Sequence, residues 1–352
     1  MCALTNGDHL RRLVAEIPKA ELHFHVDTPY PDLILRVAKR NGVELPFTDV
    51  EGFDRWVASS TGVKDLLERI WVGSNRPFQH EEDYCDLILD MGKRMESETI
   101  LRREAFFGYG YAHESRGVPL EVVCKGLAKG RKAVKEQYGL DVFFTAELDR
   151  RIDPKRNLAL VNALVEYKEE TGILAIGTEG IGEGNPILDQ KDALLRAREL
   201  GFRLTGHMCE SCGPEYLWDY LREIGMDRID HGVRAIEDEA LVDHIAQLGL
   251  ALTCCPGTNI MIPGYENVKD LPYKRFMERG IPVTINTDAP SWTRISLTDS
   301  YLMVADAFDL SLKELAGFAR NSLTYSFATD EEKKGYLRRL DAWLGENMPG
   351  EA

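Results

Sequence analysis

His23 and His25 stand two residues apart in the apolar run Glu21-Leu22-His23-Phe24-His25-Val26. In an extended segment their side chains point to the same side. Two convergent imidazoles suit a divalent metal with nitrogen ligands. Two further donors close other apolar runs: His207 in Thr205-Gly206-His207 and Asp288 in Asn286-Thr287-Asp288. Three neutral imidazoles and one carboxylate around one ion, with a position left for water, are the donor set of a catalytic zinc site. Glu210 follows His207 by three residues, and His231 ends Arg228-Ile229-Asp230-His231. An acid and a base beside an activated water are what hydrolysis requires, and these two residues fit those roles. Taken singly, a strand-end histidine packs and a helix-start glutamate caps. Six such residues on one face of one fold make the independent readings poor. His9, His80, His113 and His244 lie in polar or helical contexts and read as surface or packing residues.

The elements that must position these groups alternate in period. Short apolar runs at 21–26, 103–110, 141–148, 173–180, 203–208, 228–232, 250–256 and 281–288 read as buried strands. Amphipathic stretches follow nearly all of them, and several end in a glycine suited to a left-handed cap, such as Gly139 and Gly249. Strict alternation implies parallel strands joined by helices. Eight such units predict an α/β fold, a (β/α)8 TIM barrel, whose active sites form at the C-terminal ends of the strands. An open doubly wound sheet is the alternative; no G-x-G-x-x-G follows the first strand to support it. Residues 49–98 break the rhythm and predict a helical insertion over the barrel mouth after the first βα unit. Residues 312–344 predict two closing helices. With no linker or repeat, residues 1–352 are expected to form a single domain.

Composition narrows the partners. At 44% hydrophobic and 29% charged residues, the chain is not disordered in bulk. Its net charge of −15 argues against nucleic acid and against anionic membrane surfaces. No apolar run is long enough for a membrane helix, and Met1 to Asp8 carry no signal core, so a cytoplasmic protein is expected. Seven cysteines in a chain of this length fit reduced thiols better than a disulfide scaffold. Cys209-x-x-Cys212 has no second pair to complete a four-cysteine zinc site, and a dedicated redox role is the minor reading.

The stretch from Pro18 to Asp27 resembles the opening strand of the adenosine deaminase family. His207-Met208-Cys209-Glu210 is similar to that family's H-A-G-E motif, and Arg228 to Gly232 to its R-I-G-H-G. Cys255-Pro256-Gly257-Thr258-Asn259 resembles C-P-x-S-N, Asn286 to Pro290 resembles N-T-D-D-P, and Arg320-Asn321-Ser322 fits the closing helix. The motifs keep family order along nearly the whole chain. The resemblance implies one Zn2+ per chain on His23, His25, His207 and Asp288. It implies that Glu210 protonates a ring nitrogen and that His231 orients and deprotonates the attacking water. The implied substrate is a small molecule, a 6-aminopurine base, nucleoside or derivative, which releases ammonia. Gly180 matches a glycine whose backbone contacts the purine, and Asp27 an aspartate that contacts the ribose 5'-hydroxyl.

Several positions depart from the family pattern. Ala289 replaces an aspartate that bonds the purine N7 edge, a loss of about 1.5–3 kcal/mol for a substrate that uses it. Thr28 and Pro29 alter the pocket wall after Asp27, and Asp230 adds a charge beside His231. A different amino-heterocycle, such as a pterin, is therefore the alternative substrate, and a catalytically silent binding relative is a third reading. The zinc deaminases that carry H-x-E and P-C-x-x-C are excluded, because Met208 precedes Cys209 where a proline is required. Trp56, Trp71, Phe78, Phe106, Phe107 and Trp292 are candidates to stack on a flat ring, although core packing is the ordinary role of such residues.

Overall fold

The computed structural model describes residues 6–180, 186–261 and 265–348. Its strands are β1 (Lys19–Glu21), β2 (Ile100–Phe107), β3 (Asp141–Asp149), β4 (Ile173–Glu179), β5 (Arg203–Leu204), β6 (His207–Met208), β7 (Ile229–His231), β8 (Leu252–Cys254) and β9 (Val283–Ile285). They pair in chain order, β1 to β5 in one sheet and β6 to β9 in another, and every pair is parallel. The expected strand at 203–208 is thus divided into β5 and β6. Between them, Thr205 N–H still donates to Ile176 O at 3.1 Å, and Gly206 O accepts from Asp230 N–H at 3.0 Å.

At the other junction Phe24 bridges Asp288 in parallel. His25 N–H donates to Asp288 O at 2.8 Å, and Asp288 N–H donates to His23 O at 3.1 Å. The first and last strands therefore meet beside the metal-ligand candidates, as a (β/α)8 barrel requires. The first strand was expected at 21–26; its regular ladder covers Lys19–Glu21, and Phe24 and His25 continue it as single bridges.

The lower end of the barrel is sealed by buried charge. Arg102 Nε donates to Glu104 Oε1 at 2.7 Å, and Arg228 Nη1 donates to Glu104 Oε2 at 2.6 Å. Phe327 N–H adds a third donor to Glu104 at 2.7 Å. Burial of these ions is tolerable because every charge has a close partner.

In segment 49–98 the helix Glu81–Ser97 packs outside the barrel on the helix Leu120–Tyr138. Gly126 and Gly130 allow this contact: a β-carbon at either would collide with Tyr84 or Ile88. At the mouth, Leu67 and Trp71 line the cavity, Asp54 pairs with Arg294 at 2.6 Å and Asn75 Nδ2 donates to Asp27 O at 2.5 Å. The closing helices Leu312–Thr324 and Asp330–Asn347 each start with a reciprocal cap, Ser311 with Glu314 and Thr329 with Glu332. The first of them braces the barrel seam, for Ser322 Oγ accepts from Ala20 N–H at 2.9 Å and Asn321 Nδ2 donates to Val283 O at 3.0 Å. Among the described residues, no helix is long and apolar enough to cross a membrane.

Candidate active site

His23 and His25 follow β1, His207 opens β6, His231 ends β7, and Asp288 lies just past β9. All five are buried at the C-terminal ends of the strands. A cavity of about 410 Å3 opens there, lined by His25, His207, Glu210, His231 and Asp288. Its size is within the usual range for small-molecule sites. His231 and Asp288 both have left-handed backbones, with φ of 62° and 65°. Such strain in non-glycine residues persists only where surrounding structure enforces it, and it collects at functional sites. Here the hydrogen bonds of Asp288 to both neighbouring histidines supply that enforcement.

The donor atoms converge. His25 Nε2 lies 3.1 Å from His207 Nε2 and 3.3 Å from Asp288 Oδ1, and His23 Nε2 lies 3.7 Å from the same oxygen. Ligand atoms on one tetrahedral zinc at about 2.0–2.1 Å would stand about 3.3 Å apart. His23 Nε2 is buried and makes no hydrogen bond. Two ring nitrogens that face each other at 3.1 Å cannot both carry protons; a shared cation is what such lone pairs accommodate. The residues therefore fit the metal. Cys255 and His231 also come within reach of His23 and Asp288. Burial pushes the Cys255 thiol well above its ordinary pKa, and its Sγ donates to Thr253 O at 3.6 Å, so it is a poor ligand.

Glu210 and His231 face each other beside this cluster, with Glu210 Oε1 3.3 Å from His231 Nε2. Burial, and then the charge of Asp288, push the Glu210 carboxyl up to about 7, so it holds a proton near neutral pH. Burial also takes His231 well below its ordinary value, which keeps the imidazole neutral. Asn259 decides where its proton sits. The Asn259 Oδ1 accepts from Cys255 N–H at 3.0 Å and from Tyr273 O–H at 2.9 Å, so its amide nitrogen faces His231 Nδ1 at 3.0 Å. Nδ1 accepts that bond, and the proton of the neutral ring is on Nε2. Asn259 belongs to a motif read from sequence, but its part in setting the tautomer was not legible there.

The other expected site residues are placed differently. Gly180 lines the cavity with φ of 106°, and its carbonyl accepts from Arg150 Nη2 at 2.5 Å. Asp27 is fully buried and is absent from the cavity lining; His113 Nε2 at 2.8 Å and the Gly108 N–H occupy its carboxylate. Ala289 is buried at the start of a short helix, Pro290–Thr293, and does not line the cavity. Asp230 was expected to add charge beside His231. It points to the barrel interior, where it accepts from Thr205 Oγ1 at 2.5 Å and Thr253 Oγ1 at 2.9 Å. Of the six aromatic candidates, only Trp71 lines the cavity; Phe106 packs edge-on against His23 beneath it.

Glu147 and Glu179 were missed. Glu147 Oε1 is 3.0 Å from His207 Nδ1, and its Oε2 is 3.2 Å from His25 Nδ1. Burial alone would raise its pKa, but the charges of His207 and His25 outweigh burial and hold it low. Glu179 sits in the cavity wall with Oε1 buried and unbonded. The available signal was a glutamate near the end of each apolar strand, a position where an unpaired charge is costly.

The adenosine deaminase family pattern matches residues 18–343. An adenine deaminase of Cupriavidus metallidurans is 32% identical over 336 residues, covering 95% of this chain and 92% of its own. The crystal structure of an adenine deaminase from Arthrobacter aurescens superposes with a TM-score of 0.87 at 28% identity, covering 93% of this chain and 99% of that one. An amidohydrolase from Burkholderia ambifaria, crystallised with bound Zn, shares the fold with a TM-score of 0.86 at 18% identity, over 97% of this chain and 95% of that one. With the pattern spanning nearly the whole length and its motif residues gathered at one cavity, the chain belongs to the adenosine deaminase family.

Proposed function

We propose that this protein is a zinc-dependent hydrolytic deaminase of a 6-aminopurine, with the free base preferred to the nucleoside. The observation that carries this is the convergence of His23, His25, His207 and Asp288 on one point beside Glu210 and His231. One zinc ion per chain would be held by those four side chains. The chemistry a zinc ion supplies when bound in such a site is acidification of water to a nucleophile near neutral pH.

The chain's own groups do the rest. Glu210 delivers its proton to the ring nitrogen beside the amine-bearing carbon, which makes that carbon electrophilic. His231, protonated on Nε2, donates a hydrogen bond that orients the attacking water. Its Nδ1 is occupied by Asn259, so the water's proton passes to Asp288, whose Oδ2 lies 4.0 Å from His231 Nε2. Asp288 hands that proton to the amine, the carbon–nitrogen bond breaks and ammonia leaves, and the hydroxyl proton returns to Glu210 as the carbon becomes a carbonyl. Trp71 gives the ring an apolar wall.

Two features support a free base. The Asp27 carboxylate is fully buried, accepts from His113 and Gly108 and does not line the cavity, so a sugar hydroxyl held there does not meet it. The relatives from Cupriavidus metallidurans and Arthrobacter aurescens are both adenine deaminases. We place the enzyme in the cytoplasm, where the six described cysteines remain thiols. The test is ammonia release by zinc-loaded protein from adenine, adenosine, N6-modified adenines, guanine, cytosine and pterins. Adenine or an N6-modified adenine is expected to have the highest kcat/KM. Turnover confined to pterins or pyrimidines would overturn the purine assignment.

A further inference from the structure

Each imidazole of the ligand set has a second nitrogen, and each of the three faces an oxygen within 3.2 Å. His207 Nδ1 lies 3.0 Å from Glu147 Oε1 and 3.2 Å from Thr178 O. His25 Nδ1 lies 3.2 Å from the other oxygen of the same Glu147. His23 Nδ1 lies 3.0 Å from Thr253 Oγ1. The Thr253 hydroxyl spends its hydrogen on Asp230 Oδ1 at 2.9 Å, so its oxygen must accept from His23. Asp230 is itself anchored by Thr205 Oγ1 at 2.5 Å. Both carboxylates are buried. Every group that faces an Nδ1 is thus an acceptor, which puts the proton on Nδ1 and the lone pair on Nε2 in all three rings.

We infer that Glu147 and the Asp230–Thr253 relay are positioning elements for the metal: two buried carboxylates, from β3 and β7, that fix three ligand histidines in the tautomer and orientation a single ion needs. This rests on the zinc reading above and goes beyond it. The two carboxylates have different reach. Glu147 clamps His25 and His207 together from one side of the barrel. Asp230 acts on His23 alone, through Thr253, from the other.

The experiment compares zinc dissociation constants, by competition with a chelator of known affinity, for the parent, Glu147→Gln, Thr253→Val and the double variant. An amide at 147 presents one acceptor and one donor, so it can hold one ring and must oppose the other. A valine at 253 keeps the shape and removes the relay. Each single change is expected to weaken zinc binding about 10- to 100-fold. The factors should multiply in the double variant, since the two devices share no ligand. In Glu147→Asp, which restores the charge with a shorter reach, part of the loss should be recovered. Nitrogen-15 spectra of the zinc-loaded protein should show three rings with Nε2 on the metal and a proton on Nδ1 in the parent, and a ring with altered Nδ1–H hydrogen bonding in Glu147→Gln.

Unchanged zinc affinity in both Glu147→Gln and Thr253→Val would overturn the inference. So would a fall in the melting temperature of metal-free protein without a change in affinity, which marks a merely structural role. A parent protein that binds no stoichiometric zinc would instead sink the metal reading, and a parent that binds zinc but releases no ammonia would sink only the proposed activity.

Discussion

Glu210 Oε1 and His231 Nε2 stand 3.3 Å apart at the cavity floor, an acid pushed up to about 7 facing a histidine kept neutral. Replacing Glu210 by Gln keeps the shape and removes the transferable proton. Turnover should fall about 10²–10⁴-fold while zinc content stays at the parent level. In the parent, kcat should decline as pH rises through about 7, because the acid must be protonated to act and the group loses its proton there. That limb should be missing in Glu210→Gln. Full activity in the variant would remove Glu210 from the mechanism.

Asn259 holds His231 in the Nε2–H form, with its own carbonyl pinned by Cys255 N–H and Tyr273 O–H. Asn259→Leu should free Nδ1 and mix the tautomers. The expected loss in kcat is on the order of 10²-fold, the lower end for a positioned proton-transfer group. KM and zinc content should change little. An active variant would return the role of base to His231.

Ala289 adjoins Asp288 but lies buried outside the cavity lining. An aspartate there restores the family pattern. If the position sets substrate preference, Ala289→Asp should raise kcat/KM for adenine about tenfold or more, the equivalent of one hydrogen bond to a charged group. Profiling the variant against the substrate panel decides this, and an unchanged profile removes Ala289 from the substrate contacts.

Glu104 holds Arg102 and Arg228 in the barrel interior, below the cavity. Glu104→Gln leaves two buried guanidinium groups short of a counter-charge and should cost about 3–5 kcal/mol in denaturant unfolding. Burial alone would raise this carboxyl's pKa, but the two arginines outweigh burial and bring it below its ordinary 4.5. A lowered carboxyl stabilises the fold above its unfolded-state pKa, and the contribution is lost as pH falls below that range. The parent should therefore lose stability steeply below about pH 4.5, and the variant less so.

Much of the fold was legible because burial writes itself into sequence. Strands covered on both faces appear as unbroken apolar runs, and several helices between them end in a left-handed glycine, as at Gly139 and Gly249. Strand ends were less legible. The run at 203–208 is one apolar stretch, but its ladder lapses at Thr205 and Gly206. Whether a run keeps its pairing depends on the neighbouring strands, which local composition does not record. The insertion shows the same limit: helical patterning gave no sign that Glu81–Ser97 packs beside the barrel while Leu67 and Trp71 line its cavity.

The sequence by itself determined which residue types stand at the strand ends, the candidate ligands and the candidate acid among them, since those depend on residue identity and on periodicity along the chain. Only the tertiary structure decided what each group faces. It put Glu147 of β3 between His25 and His207, turned Asp230 away from His231 toward Thr253, gave the Asp27 carboxylate to His113, and used Asn259 to set the proton on His231. Those relations join residues far apart in the chain through contacts of a few ångströms. Proton position and ligand geometry are properties of such contacts, so they come into being only when the barrel closes.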